Sequence, residues 1–84
     1  MLKITRTGNG EVVFSLSGRM DAENVGELET LLNAEAAAQR IVLNLKDLRL
    51  VDQPVVSFLK RCETGGIQLK NCPAYIREWL NGEQ

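Results

Sequence analysis

The sequence contains no histidine, the side chain that most often serves as a general base and as a metal ligand near neutral pH. Its two cysteines, Cys62 and Cys72, have no second Cys or His pair to complete a zinc site, and we expect reduced packing residues. Nor does any serine or cysteine have a base partner at a recognisable spacing. We therefore expect no catalytic residues, no metal and no cofactor, and enzymes are the least favoured class.

Charge and hydropathy argue against two further classes. A formal net charge of −1 provides no basic field for nucleic acid. The N-terminus lacks a long apolar stretch and no apolar run approaches membrane-spanning length, so we expect no membrane insertion and a cytoplasmic location. Eighty-four residues, 44% of them hydrophobic, suffice for one small core, which predicts a single domain over residues 1–84.

The first half of the chain has the pattern of two strands, a helix and a third strand. Alternation predicts strands over residues 2–7 and 11–20, joined by a hairpin turn at Gly8-Asn9-Gly10. Asp21 is a candidate N-cap for a helix that runs through the alanines to Ala38. The apolar, β-branched residues 41–45 then predict a buried strand, and the strand-helix-strand order predicts a parallel pair.

The second half repeats the alternation of helices and strands. Residues 46–50 are interpreted as a connection, and a helix is predicted over residues 54–63, ended by Gly65 and Gly66. A short strand over residues 67–70 and a helix over residues 74–80 complete the chain. The predicted fold class is α/β, with a four-stranded mixed sheet covered by about three helices.

The loop of residues 50–54 is the predicted functional site, because it leads from a buried strand into a helix N-terminus. Pro54 fits the first turn of a helix, which places Asp52 or Gln53 where unpaired N–H groups favour negative charge. Ser57 follows one helical turn later, and is either a structural serine or a modified hydroxyl. The apolar stripe of the last helix, with Tyr75, Trp79 and Leu80, is either core or an interface.

Three sequence blocks are similar to the motifs of one known domain family. Residues 14–21, FSLSGRMD, are similar to the family's L-x-G-x-L-D strand and helix cap. Residues 41–45 with Val51-Asp52 are similar to V-V-L-D-L-S followed by I-D-S-S-G. Residues 67–73, IQLKNCP, are similar to the late strand, turn and proline-started helix. Together the blocks cover nearly the whole chain in order and spacing, and the chain resembles the STAS domain, as in bacterial anti-sigma factor antagonists.

The resemblance implies a mixed sheet covered by helices and a non-catalytic, regulatory role in binding protein partners. In the antagonist branch, the serine after the motif's aspartate is phosphorylated by a kinase that is also the anti-sigma factor, and phosphorylation releases the antagonist. Here Asp52 matches the aspartate, whereas Gln53 and Pro54 occupy the two hydroxyl positions. Because glutamine cannot accept a phosphoryl group, we expect a module without this switch, with the partner-binding residues Leu50, Asp52, Gln53, Pro54 and Ser57.

Two alternative functions and one assembly state are also considered. The chain could be an accessory subunit of a phospholipid ABC transport complex, which uses STAS subunits, or a weak nucleotide binder at the helix N-terminus near Pro54. The chain ends near Leu80, so the family's last strand and helix are expected to be missing and the fourth strand lies nearer an edge. An edge strand beside Tyr75, Trp79 and Leu80 predicts a weak homodimer.

Overall fold

The computed structural model describes residues 2–8, 10–35 and 40–82. In these residues it contains a four-stranded mixed sheet and three helices, which confirms the predicted fold class. The elements are β1 (Leu2–Gly8), β2 (Val12–Met20), α1 (Ala22–Ala34), β3 (Ile41–Val51), α2 (Gln53–Thr64), β4 (Gln68–Lys70) and α3 (Ala74–Asn81). The predicted turn residue Asn9 and the predicted helical alanines at 36–38 lie outside the described residues.

The strands follow one another across the sheet in chain order, β1-β2-β3-β4. β1 is antiparallel to β2, as the hairpin requires, whereas β2 and β3 are parallel, as the intervening helix predicts. β4 is parallel to β3 and pairs only with Val42, Leu43 and Asn44. Within the described residues, β4 is therefore a short edge strand, and the long strand β3 continues well beyond it.

One hydrophobic cluster joins the sheet to all three helices. On β2 the core residues alternate, with Val12, Phe14 and Leu16 buried and Val13 and Ser15 half-buried between them. This alternation sends the apolar side chains to the face that the helices cover. The buried cluster also contains Leu43, Leu45 and Leu48 of β3, Leu28 and Leu32 of α1, Val55, Val56, Phe58 and Leu59 of α2, and Ile76 and Leu80 of α3.

The prediction of a connection at residues 46–50 is wrong, because β3 runs from Ile41 to Val51. The pairing of β2 with β3 contains two register shifts, one between Ser15 and Ser17 and one between Gly18 and Arg19. Such shifts place extra residues in one strand and interrupt its apolar alternation. The adjacent polar residues Lys46 and Asp47 therefore resembled a loop, and in the fold a single residue, Asp52, separates β3 from α2.

The predicted helix starts agree with the structure, whereas α1, predicted to run to Ala38, ends at Ala34 with Glu35 as its C-cap. Asp21 is the N-cap of α1, and the side chain of Asn24 accepts a hydrogen bond from its backbone N–H, which completes a capping box. Asp52 is the N-cap of α2, and Gly65 ends that helix. β2 and β3 thus each lead into a helix through a single capping aspartate.

Candidate functional site

The carboxyl ends of β2 and β3 lie side by side, with Arg19 paired to Leu50 and Met20 to Val51. Because α1 and α2 each begin directly after these strands, the two helix N-termini also meet at this edge of the sheet. A depression of about 330 Å³ lies there, lined by Arg19, Met20, Asp21, Leu50, Val51 and Asp52. The predicted functional segment therefore lies at the position where α/β folds place their sites.

Two aspartate side chains occupy the helix N-termini at this edge. Asp21 Oδ1 accepts a hydrogen bond from the N–H of Glu23 at 3.0 Å. Asp52 Oδ1 accepts from the N–H of Val55 at 3.3 Å, and Asp52 Oδ2 accepts from the N–H of Ala22 at 3.2 Å. Asp52 thus contacts the starts of both helices, and the donors that an external anion would use are bonded to carboxylates of the chain itself.

Two aromatic residues of α3 bond to the chain on either side of the Leu50–Asp52 segment. The hydroxyl of Tyr75 donates a hydrogen bond to the backbone carbonyl of Arg49. The indole Nε1 of Trp79 donates to Oε1 of Gln53 at 3.0 Å. Gln53, which the sequence resemblance aligns with the family's phosphoacceptor, is therefore bonded to the last helix, a contact that no sequence pattern indicated.

These contacts bring together the two sites that the sequence predicted separately. Leu50 is 57% exposed, Tyr75 45% and Trp79 36%, and they are the large hydrophobic residues exposed in the described part of the chain. Tyr75 and Trp79 are attached to residues that flank Leu50 and Asp52 in sequence. We call Leu50, Asp52, Gln53, Tyr75 and Trp79 the strand-end surface.

The remaining predicted site residues have different environments. Pro54 is exposed in the first turn of α2, and Ser57 is half-buried further along that helix. Leu80, predicted with Tyr75 and Trp79 as part of an interface, is fully buried and belongs to the core. The physical reason is the helical period, because Leu80 follows Ile76 by four residues and shares its buried face.

The two cysteines are free thiols, with Cys62 buried and Cys72 half-buried. Burial raises the pKa of the Cys62 thiol to about 11, and burial also raises the pKa of Cys72, which is half-buried. Residues 2–8, 10–35 and 40–82 contain no cluster of three or more His, Cys, Asp or Glu side chains that could hold a metal ion. In the same residues, no helix has the length and apolar character needed to cross a membrane.

The family model of the STAS domain matches residues 3–69, and the chain therefore belongs to the STAS domain family. No curated protein matches it. Among solved structures, it is similar to the anti-sigma factor antagonist SpoIIAA in its unphosphorylated form, with a TM-score of 0.72 and 20% identity over 99% of this chain and 84% of that one.

A second solved structure has the same fold. It is an uncharacterized protein of the DUF3478 family with a SpoIIAA-like fold, from Shewanella loihica PV-4. The TM-score is 0.55 and the identity 17%, over 82% of this chain and 62% of that one. At these identities the two structures establish the shared fold.

Proposed function

We propose that the chain is a cytoplasmic, non-catalytic interaction module that binds a protein partner in a regulatory system, similar to an anti-sigma factor antagonist. The proposed contact is the strand-end surface together with Pro54 and Ser57. Membership of the STAS family and the fold shared with SpoIIAA support a binding role. The proposed partner is an anti-sigma factor of the kinase-like type.

The observation that carries this proposal is the exposure of Leu50, Tyr75 and Trp79, with the two aromatic residues bonded to Arg49 and Gln53 on either side of the Leu50–Asp52 segment. Tyrosine and tryptophan are enriched at protein interfaces, because each combines a large apolar area with one polar group. The two residues are also held in place by hydrogen bonds to Arg49 and Gln53, so little side-chain freedom is lost when a partner covers them.

We further propose that this module lacks the phosphorylation switch at position 53. The amide of Gln53 has no hydroxyl to phosphorylate, and its oxygen accepts the indole hydrogen of Trp79. A phosphoserine at a helix start would add about two negative charges there. In this chain the same position is neutral, so its partner is expected to bind without release by phosphorylation at that residue.

The nucleotide alternative receives less support from the geometry. Phosphate binding at a helix N-terminus requires free backbone donors and a positive local field. Here Asp21 and Asp52 place carboxylates at both N-termini, and these bond the N–H groups of Glu23, Val55 and Ala22. A phosphate would have to displace or approach two negative charges.

Direct binding to a purified partner tests the proposal. The tagged chain is used to isolate partners from its native host, and each candidate is then titrated against the parent, Leu50→Glu and Tyr75→Ala. We expect both variants to weaken binding at least tenfold, the loss typical of an interface residue near the centre. Ala34→Glu is the matched control, since it adds the same charge at the exposed far end of α1, about 20 Å along the helix from Ala22.

The class of the isolated partner and its affinity for the two surface variants distinguish the proposed functions. Parent-like affinity of both surface variants would refute the strand-end surface as the contact. An ABC permease or ATPase subunit as the direct partner would replace the regulatory proposal by the transport alternative.

A further inference from the structure

Helix α3 depends on the rest of the chain for its position. It spans eight residues, Ala74–Asn81, and its N-cap residue Pro73 provides no side-chain hydrogen bond to the helix start. Helices of this length are unstable in isolation, so tertiary contacts must hold them. Two buried residues, Ile76 and Leu80, supply the apolar part of those contacts.

Three side-chain contacts attach α3 to neighbouring elements. Arg77 Nη1 lies 3.0 Å from Glu63 Oε2, near the C-terminal end of α2. Trp79 bonds to Gln53, the first residue of α2, and Tyr75 bonds to the carbonyl of Arg49 on β3. α3 therefore contacts both ends of α2 and the end of β3. Gln53 makes one of these contacts.

We propose that the hydrogen bond between Gln53 and Trp79 holds α3 in its position against α2. The residue at position 53, the first of α2, then determines how readily the last helix separates from the rest of the fold. The bond uses the full length of the glutamine side chain, whose amide oxygen meets the indole at 3.0 Å. A serine at this position ends at its γ-oxygen and would leave the indole N–H to solvent unless α3 moved toward α2.

This coupling is a property of the free chain. Its consequence for partner binding rests on the function proposed above, because Tyr75 and Trp79 form part of the strand-end surface. A substitution at position 53 would then change the strand-end surface by moving α3, without adding a phosphate. Failure of the partner proposal would leave the coupling itself untouched.

The chain contains a single tryptophan, so fluorescence reports on Trp79 alone. We compare the parent with Gln53→Ala, which removes the acceptor, and with Gln53→Glu, which keeps an oxygen at the same reach. Gln68→Ala is the matched control, since Gln68 is an exposed glutamine on β4. Amide hydrogen exchange is measured for all four proteins, together with acrylamide quenching of Trp79.

For Gln53→Ala we expect amides of α3 to exchange about threefold to tenfold faster, the factor that corresponds to one hydrogen bond, with stronger quenching of Trp79. Amides of β2 and β3 should keep the parent's rates, and Gln53→Glu and Gln68→Ala should behave as the parent. Trp79→Phe should accelerate α3 to a similar extent, and combining it with Gln53→Ala should add little.

Three results would overturn the proposal. If the amides of α3 exchange at the parent's rates in Gln53→Ala, the hydrogen bond does not hold the helix in place. Equal acceleration in Gln68→Ala would show an effect unrelated to the bond. A uniform acceleration across the whole sheet would show that Gln53 contributes to global stability and that α3 does not open as a separate element.

Discussion

Asp52 accepts a hydrogen bond from the backbone N–H of Ala22 at 3.2 Å, although thirty positions separate the two residues in sequence. The other oxygen of the same carboxylate caps α2 through Val55. One side chain therefore joins the starts of α1 and α2 at the edge of the sheet where the strand-end surface lies.

Replacing Asp52 by alanine should destabilise the fold by about 1–2 kcal/mol, because it removes an N-cap and a second bond to another helix. Urea denaturation measures the change. Asp47→Ala is the control, since Asp47 is an exposed aspartate on β3 and should change stability by less than about 0.5 kcal/mol. Asp52→Asn should lie between the two, because its amide retains one acceptor oxygen. Equal midpoints for Asp52→Ala and Asp47→Ala would contradict the double contact.

Much of the fold could be predicted from the sequence because its periods are regular. Alternation identified β2, and the aspartates at 21 and 52 marked the helix starts that the structure has. The second half of β3 was missed because register shifts in its pairing interrupt the period. Irregular pairing of this kind depends on the neighbouring strand, so no local pattern contains it.

The candidate site was predicted in parts and not as a whole. The sequence indicated residues 50–54 and the aromatic stripe of the last helix as two separate places. Their union rests on Trp79 meeting Gln53 and Tyr75 meeting Arg49, contacts between residues 26 positions apart. These contacts depend on the packing of α3 against α2 and against the end of β3. The same packing decides that Leu80 is core while Trp79 is partly exposed.

A kinase of the type that phosphorylates STAS antagonists should not modify the parent chain at position 53, because an amide cannot accept the phosphoryl group. Intact-mass analysis after incubation with ATP and the candidate kinase measures this. Gln53→Ser restores a hydroxyl and serves as the comparison for a kinase that recognises the surface. A phosphoryl group mapped to Ser57 of the parent would mean that the switch is displaced along α2 and would contradict a module without one.

The two thiols should react at very different rates. Burial raises the pKa of Cys62 from 9.0 to about 11, so near pH 8 its thiolate fraction is about 100-fold lower than that of an ordinary thiol. Cys72 is half-buried and its pKa is also raised. We expect Cys72 to react slowly with a thiol reagent and Cys62 to react much more slowly. The variants Cys72→Ser and Cys62→Ser assign each reaction to its thiol. Faster labelling of Cys62 in the folded chain would contradict its buried position.

Truncating Leu80 should cost far more stability than removing the hydroxyl of Tyr75. Leu80 is fully buried, and Leu→Ala at such a site removes about 2–5 kcal/mol through lost burial and a cavity. Tyr75 is 45% exposed, so Tyr75→Phe should cost about 0.5–1.5 kcal/mol, the hydrogen bond to Arg49. Denaturation midpoints compare the two. A Leu80→Ala variant as stable as Tyr75→Phe would contradict the buried position of Leu80.

We also predict that the chain forms a weak homodimer through its C-terminal end. β4 is a three-residue edge strand in the described sheet, and Tyr75 and Trp79 are exposed on the helix that follows it. Unpaired strand edges and exposed aromatic area both favour association with a second copy. Lys70 at the end of β4 opposes it, because a charged side chain discourages edge pairing.

Sedimentation across a concentration series distinguishes these effects. The parent should shift from monomer toward dimer in the high micromolar range, and Trp79→Ala should remain monomeric at the same concentrations while staying folded. Lys70→Ala should strengthen association if edge pairing contributes, and should leave it unchanged if only the aromatic residues do. A parent that sediments as a monomer at every concentration would refute the dimer. If Trp79→Ala unfolds, Trp79 belongs chiefly to the core. A residue needed only for association could be replaced without unfolding the monomer.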